Sequence, residues 1–136
     1  MTFADLQIDQ DMVDALATQG IIEPFPIQEQ TIPLGLSGQD IIGQAKTGTG
    51  KTLGFGLPII QRIGLNPEPG VQVLVVVPTR ELCVQVYEDI DMLTSGRSTS
   101  VVAIYGGKAY EGQIEQLKAG AQIGRASCRE RVWTVV

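Results

Sequence analysis

Residues 45–52 read AKTGTGKT, and no other stretch of the chain has a composition so suited to one kind of chemistry. Gly48 and Gly50 can let the backbone curl so that successive N–H groups point at the oxygens of an anion. A helix beginning near Lys51 would add the positive end of its dipole. Lys51 would then reach the outer phosphates of a nucleotide, and the hydroxyl of Thr52 would ligate Mg²⁺. Ala45, Lys46, Thr47 and Thr49 complete the loop. The commoner pattern starts with glycine where Ala45 stands. The plainer alternative is a glycine-rich turn with a solvated lysine.

Three weaker signals flank this loop. In EPFPIQ, residues 23–28, the amide of Gln28 could pair with the donor–acceptor edge of adenine, although a proline-flanked turn into a helix is an ordinary element. Phe3 could be core, or could stack on a base. PTREL, residues 78–82, sets Thr79 and Arg80 at a helix start, where a phosphate can sit; a capped helix with a surface arginine is the competing reading. YGGK, residues 105–108, is a tight turn whose Gly106 and Gly107 could offer amides to a nucleic-acid phosphate. Cys83, beside an apolar helical stripe, reads as core.

The elements that must position these residues alternate along the chain. Residues 9–20 space Met12, Val13, Leu16 and Ala17 as a helix stopped by Gly20. A second short helix enters after Pro26 and closes near Gly38, with Pro33 weakening it. DIIGQA, 40–45, is expected as a short strand ahead of the loop. The helix after the loop carries Gly54, Gly56 and Pro58, poor formers that packing must hold. VQVLVVV, 71–77, reads as a strand covered on both faces. A helix capped by Thr79 follows to about Leu93, with Leu82, Val86, Ile90 and Leu93 as its stripe. SVVAIYGG is a third strand and turn, and KAYEGQIEQLKAG a helix ended by Gly120. Alternating helices and apolar strands predict an α/β domain with a parallel sheet and flanking helices. Its ligands would sit at the carboxyl ends of the strands.

Composition narrows the function. The chain has 136 residues, 43% hydrophobic and 18% charged, as expected for one soluble globular domain. No apolar run suffices to span a membrane. The acidic start MTFADLQIDQD is unlike an export signal, and a cytoplasmic location is expected. Two cysteines and no histidine offer no metal set. The formal net charge is −5, so any polyanion must be held by a few placed groups rather than by general attraction.

Taken in order and spacing, Phe3, EPFPIQ, AKTGTGKT, PTREL and YGG resemble the first domain of the DEAD-box ATP-dependent RNA helicases, over residues 1–122. The resemblance implies an incomplete RecA-like phosphate-loop domain. It implies ATP and Mg²⁺ at residues 45–52, with Lys51 and Thr52 as the catalytic pair. Adenine recognition is implied at Gln28, with Phe3 as the upstream aromatic. The RNA backbone would lie at Thr79, Arg80, Gly106 and Gly107. Ile21 and Cys83 stand where the family often has an aromatic and an alanine. After KAGAQI the family would continue with a strand, a Thr-Pro-Gly-Arg turn and an Asp-Glu-Ala-Asp box, none of which is read here. Hydrolysis by this chain alone is therefore not expected.

Residues 123–136 differ from the rest, with Arg125, Arg129 and Arg131 among only ten basic residues. The codons ATC GGA AGA GCG TCG TGT AGG GAA AGA GTG translate as Ile123 to Val132, and that string resembles a widely used sequencing adapter. The segment is expected to be a non-native tail; a natural basic tail that binds RNA is the competing reading. Without it the chain has seven bases and fourteen acids, a charge of −7. The alternative from another class is a short, non-catalytic nucleotide- or RNA-binding protein. A phosphate-loop ATPase acting on DNA fits EPFPIQ beside PTREL less well.

Overall fold

The computed structural model describes residues 1–106, 109–120 and 122–127. They form two compact units, Met1–Gly64 with Met92–Gly96, and Leu65–Asp91 with the residues from Arg97 onward.

The first unit is helical. Helix α1 spans Gln10–Thr18, α2 Pro26–Leu36 and α3 Lys51–Ile63. Phe3, Leu6, Ile8, Met12, Leu16, Ile32, Leu57 and Ile60 are among its buried residues. Helix α3, unpromising by propensity, is held by a close fit to α2. A Cβ on Gly35 would lie 2.8 Å from Pro58, and one on Gly54 would lie 2.8 Å from the Thr31 hydroxyl. Pro58 has no N–H for the carbonyl four residues before it, that of Gly54. The single hydrogen of the Thr31 hydroxyl is shared between Ile27 O at 2.8 Å and, more weakly, that carbonyl at 3.2 Å. Pro33 is tolerated because it lies near the end of α2, where one missing N–H leaves only the last turn to close.

Two glutamines tie this unit together. Gln61, on α3, accepts from Asp9 N at 3.0 Å and donates to Gln7 O at 2.7 Å, pinning the N-terminal segment to the helix. Gln28 does the same for α2 and the loop before α3, as described below.

One expected element is missing. Residues 40–45 form no strand, and Ile41 and Ile42 are exposed, the latter fully. Apolar composition favours a strand only where a neighbouring ladder takes up the backbone N–H and C=O groups. Among the described residues none pairs with this segment.

The second unit contains the sheet. Strands β1 (Val73–Val77), β2 (Val101–Ile104) and β3 (Ile123–Ser127) lie in the order β1-β3-β2, all parallel. Helix α4 (Arg80–Leu93) connects β1 towards β2, and α5 (Tyr110–Lys118) connects β2 to β3. Val86, Ile90, Leu93 and Cys83 are buried on α4 and Leu82 is half-buried, so the stripe holds except at its first residue and the cysteine is core. Strand β1 is covered on one face only: Val75 and Val77 are buried while Leu74 is 43% exposed. Near-continuous apolar sequence thus overstates its burial.

Strand β3 corrects the reading that no strand follows KAGAQI. It occupies the centre of the sheet, with Ile123 fully buried. Its entry is fixed by Gln122, whose N–H donates to Ser100 O at 3.1 Å and whose C=O accepts from Gln72 and Val73. The Gln122 side chain also accepts from Ser100 N at 2.8 Å. Ladder bonds are made by the backbone, so the pairing depends little on which side chains follow Ile123.

Candidate nucleotide and nucleic-acid sites

Residues 47–49 turn sharply into α3, with φ +82° at Gly48 and +68° at Gly50, the helix N-cap. No atom lies within 4 Å of where a Gly48 Cβ would stand, so the mouth of the loop is open. Among the described residues none accepts a hydrogen bond from the N–H of Thr47, Gly48, Thr49 or Gly50. Four such donors at a helix N-terminus form the concavity that anions occupy. The loop is braced from within: Thr49 Oγ1 donates to Lys46 O at 2.6 Å, and Lys51 Nζ to Ala45 O at 2.5 Å. Lys51 is exposed and Thr52 half-buried, both in the first turn of α3. A phosphate chain fits this set by charge and by donor geometry.

Gln28 lies directly behind the loop and is fully buried. Its Oε1 accepts from Phe25 N at 2.9 Å, closing the start of α2, and its Nε2 donates to Gly50 O at 2.9 Å. An amide has two donor hydrogens and two acceptor lone pairs, so these bonds use one of each, and like Phe3 the side chain opens no face to a ligand in this conformation. The contact with Gly50 is close: an added Cβ there would meet Nε2 at 2.2 Å and Phe25 Cδ2 at 3.2 Å.

The two aromatics divide. Phe3 is 1% exposed and belongs to the core, with no ring face open in this conformation. Phe25 is 49% exposed and lines a cleft of about 360 Å³ with Gly20, Ile21, Ile22 and Glu23. Sequence reasoning passed over Phe25; the signal was its place between two prolines, three residues before Gln28.

In the second unit, Thr79 and Arg80 follow β1 and Gly106 follows β2, at the carboxyl ends of parallel strands. With only β3 between them, these turns are separated by two strand spacings, about 10 Å. Thr79 Oγ1 accepts from Leu82 N at 3.2 Å, so the hydroxyl caps α4 as expected. Arg80 and Gly106 are exposed. Gly107 lies outside the described residues. Away from these sites, Asp5 is held below the ordinary carboxylate value by hydrogen bonds from Thr2, the backbone N–H at 2.7 Å first and the hydroxyl at 2.9 Å second.

A parallel α/β sheet with helical connections and open turns at its carboxyl edge is the arrangement of RecA-like domains, the class to which similarity to solved structures assigns the fold. The DEAD/DEAH box helicase family model matches residues 25–129, and the chain belongs to that family. The match runs past residue 122, where the sequence reading had stopped. The DEAD-box ATP-dependent RNA helicases CshA of Bacillus licheniformis and Bacillus subtilis are each 46% identical over 124 residues. That covers 90% of this chain and 25% of each of theirs, so the chain spans about a quarter of the length of these curated relatives. Among solved structures, a DEAD box protein from Methanococcus jannaschii superposes with a TM-score of 0.85 at 36% identity, covering 93% of this chain and 34% of that one. The RNA helicase Prp28 from Chaetomium thermophilum, bound to ADP, gives 0.81 at 35% identity, covering 90% and 31%. Among the described residues no helix is long and apolar enough to cross a membrane.

Proposed function

We propose that this chain is the front part of an ATP-dependent RNA helicase, binding ATP–Mg²⁺ at residues 45–52 and the RNA backbone at Thr79, Arg80 and the Gly106–Gly107 turn. The observation that carries the nucleotide half is the open cradle of unpartnered N–H groups between Lys46 and Lys51. Those amides would hold phosphate oxygens, and Lys51 would leave Ala45 O to neutralise the outer phosphates. Thr52 would supply a hydroxyl ligand to Mg²⁺, whose charge would offset that of the phosphates. Gln28, buried in this conformation, would give its remaining donor and acceptor to adenine once the segment over it shifts to admit the base. Phe25, whose N–H bonds the Gln28 side chain and whose ring is half exposed in a cleft, is a better candidate than Phe3 for covering the base.

No Asp-Glu-Ala-Asp stretch occurs among the 136 residues. The proposal is therefore binding without hydrolysis or unwinding by this chain. RNA-stimulated phosphate release from the purified chain would overturn that part. Titration with a fluorescent ATP analogue in the presence of Mg²⁺ tests the binding. Lys51→Ala should weaken it about tenfold or more, as for one lost hydrogen bond to a charged group. Equal affinity of the two proteins would sink the assignment of the loop.

For residues 123–136 the proposal is that the backbone of Ile123–Ser127 stands where the domain's next strand belongs, while the side chains from Gly124 onward are not native to it. The observation is that β3 is entered through native-like Gln122 and Ile123 bonds and then reads Gly-Arg-Ala-Ser. Sequencing the source gene across codons 115–140 from an independent clone decides this. An Asp-Glu-Ala-Asp box in the continued frame supports it; genomic codons for GRASCRERVWTVV refute it.

A further inference from the structure

We infer that Gln113 is a positioning residue for the RNA-facing turn after β2. This rests on the proposed RNA-binding role of that turn. Gln113 sits in the first turn and a half of α5, on the side that faces into the unit, and is only 5% exposed. A buried amide is unfavourable unless its polar atoms are bonded, and here they are. Oε1 accepts from Tyr105 N at 3.0 Å; Nε2 donates to Tyr105 O at 3.3 Å and to Ala109 O at 3.4 Å.

One side chain thus grips both ends of the link from β2 to α5. Tyr105 is the residue that leaves the strand, and Ala109 is the N-cap of the helix. Ala109 has no side-chain oxygen to cap α5, and no side-chain cap bond is made there. Gln113 does not cap a first-turn N–H; it ties the helix start back to the strand end through Ala109 O and Tyr105. Gly106 leaves the strand directly after the clamped residue, is exposed, and has nothing within 4 Å of a would-be Cβ. The residue directly before it, Tyr105, is bonded to Gln113 through both its N–H and its C=O, and on the proposal that clamp sets the direction in which Gly106 leaves the strand. Gripping both an N–H and a C=O of one residue needs a donor and an acceptor on the same planar group, which among side chains of this length only glutamine supplies. Helix α5 could have buried an apolar residue at this position; a buried glutamine there is explained by the turn it holds.

The test uses the 136-residue chain and a labelled single-stranded RNA oligonucleotide. Anisotropy titrations are run at several salt concentrations, beside titrations with the fluorescent ATP analogue. Gln113→Met keeps length and bulk but removes both polar functions. It should weaken RNA binding about tenfold or more, the loss of one hydrogen bond to a phosphate. The salt slope should stay the same, because a backbone amide carries no net charge and releases no counterion, with affinity for the ATP analogue unchanged. Amide exchange at Tyr105 should accelerate while that at Val75 does not. Should Gln113→Met fail to fold, Gln113→Asn, with both amide functions on a shorter stem, reads the same quantities.

RNA affinity equal to that of the unsubstituted chain, with faster Tyr105 exchange, would make Gln113 purely structural and overturn the inference. If Arg80→Ala weakens RNA binding in that same experiment, the RNA reading itself still stands. If the unsubstituted chain does not bind RNA, both fall together.

Discussion

Buried glutamines join secondary structure to function at the residue scale. Gln28 satisfies Phe25 N and Gly50 O at once, so Gln28→Ala leaves a buried donor and an acceptor short of partners. That should cost about 1–3 kcal/mol, read as a lower melting temperature. It should also remove any preference for the ATP analogue over its guanine counterpart. A retained preference would place adenine recognition elsewhere. Thr99 is the reverse case. Its hydroxyl is buried with no partner among the described residues, so Thr99→Val removes an unsatisfied group and should leave stability unchanged or raised. A marked drop in melting temperature would reveal a bound water or an unrecognised partner. Asp5, with its carboxyl held down by Thr2, contributes stability that is present above the ordinary carboxylate value and lost as pH falls through its lower folded value. Being fully exposed, it should make the N-terminal turn loosen in acid without moving the main transition.

The pairing of α2 with α3 decides whether the phosphate loop is held at all, and that is a matter of elements. Pro58 removes a bond inside α3, and the Thr31 hydroxyl on α2, shared with Ile27 O, replaces it in part. Thr31→Val keeps the shape and deletes the donor. It should destabilise by about 1–2 kcal/mol and weaken nucleotide binding in step. Unchanged melting would show that Gly54 O finds water instead. Gly35→Ala should be worse, because the added methyl meets a proline ring that cannot turn aside. At this scale the sequence was legible where an element is specified locally. Helices α1, α4 and α5 announced themselves by periodicity and by their stops. Pro33 looked like a helix breaker and was not, since its place near the end of α2 mattered more than its identity. Residues 40–45 looked like a strand and form none, since strand formation needs a second segment.

For the molecule as a whole, exposed apolar surface is the governing feature. Ile22, Phe25, Ile41, Ile42, Leu65 and Leu74 are each more than a third exposed. β1 and β2 both have an open edge among the described residues. Such surfaces recruit other chains. The purified chain should therefore bind hydrophobic dyes and aggregate on heating. Ile42→Lys should reduce aggregation without lowering the melting temperature, because that side chain buries nothing. A sharp, reversible transition in a monodisperse monomer would contradict this picture.

Short-range chemistry was readable from the sequence alone. The curl of AKTGTGKT, the Thr79 cap, the stripe of α4 and the parallel α/β pattern all depend on neighbours within a few positions or on a simple period. The family followed from their order. Tertiary structure decided what depends on partners distant in the chain. It buried Phe3 and left Phe25 in the cleft, it gave Thr31 to Gly54, and it set Gln113 against Tyr105. It also put Ile123–Ser127 at the centre of the sheet, although its residues look unlike a strand, because backbone ladders on both sides accept any extended chain. Position along the chain specifies which groups are available; only the fold determines which of them meet.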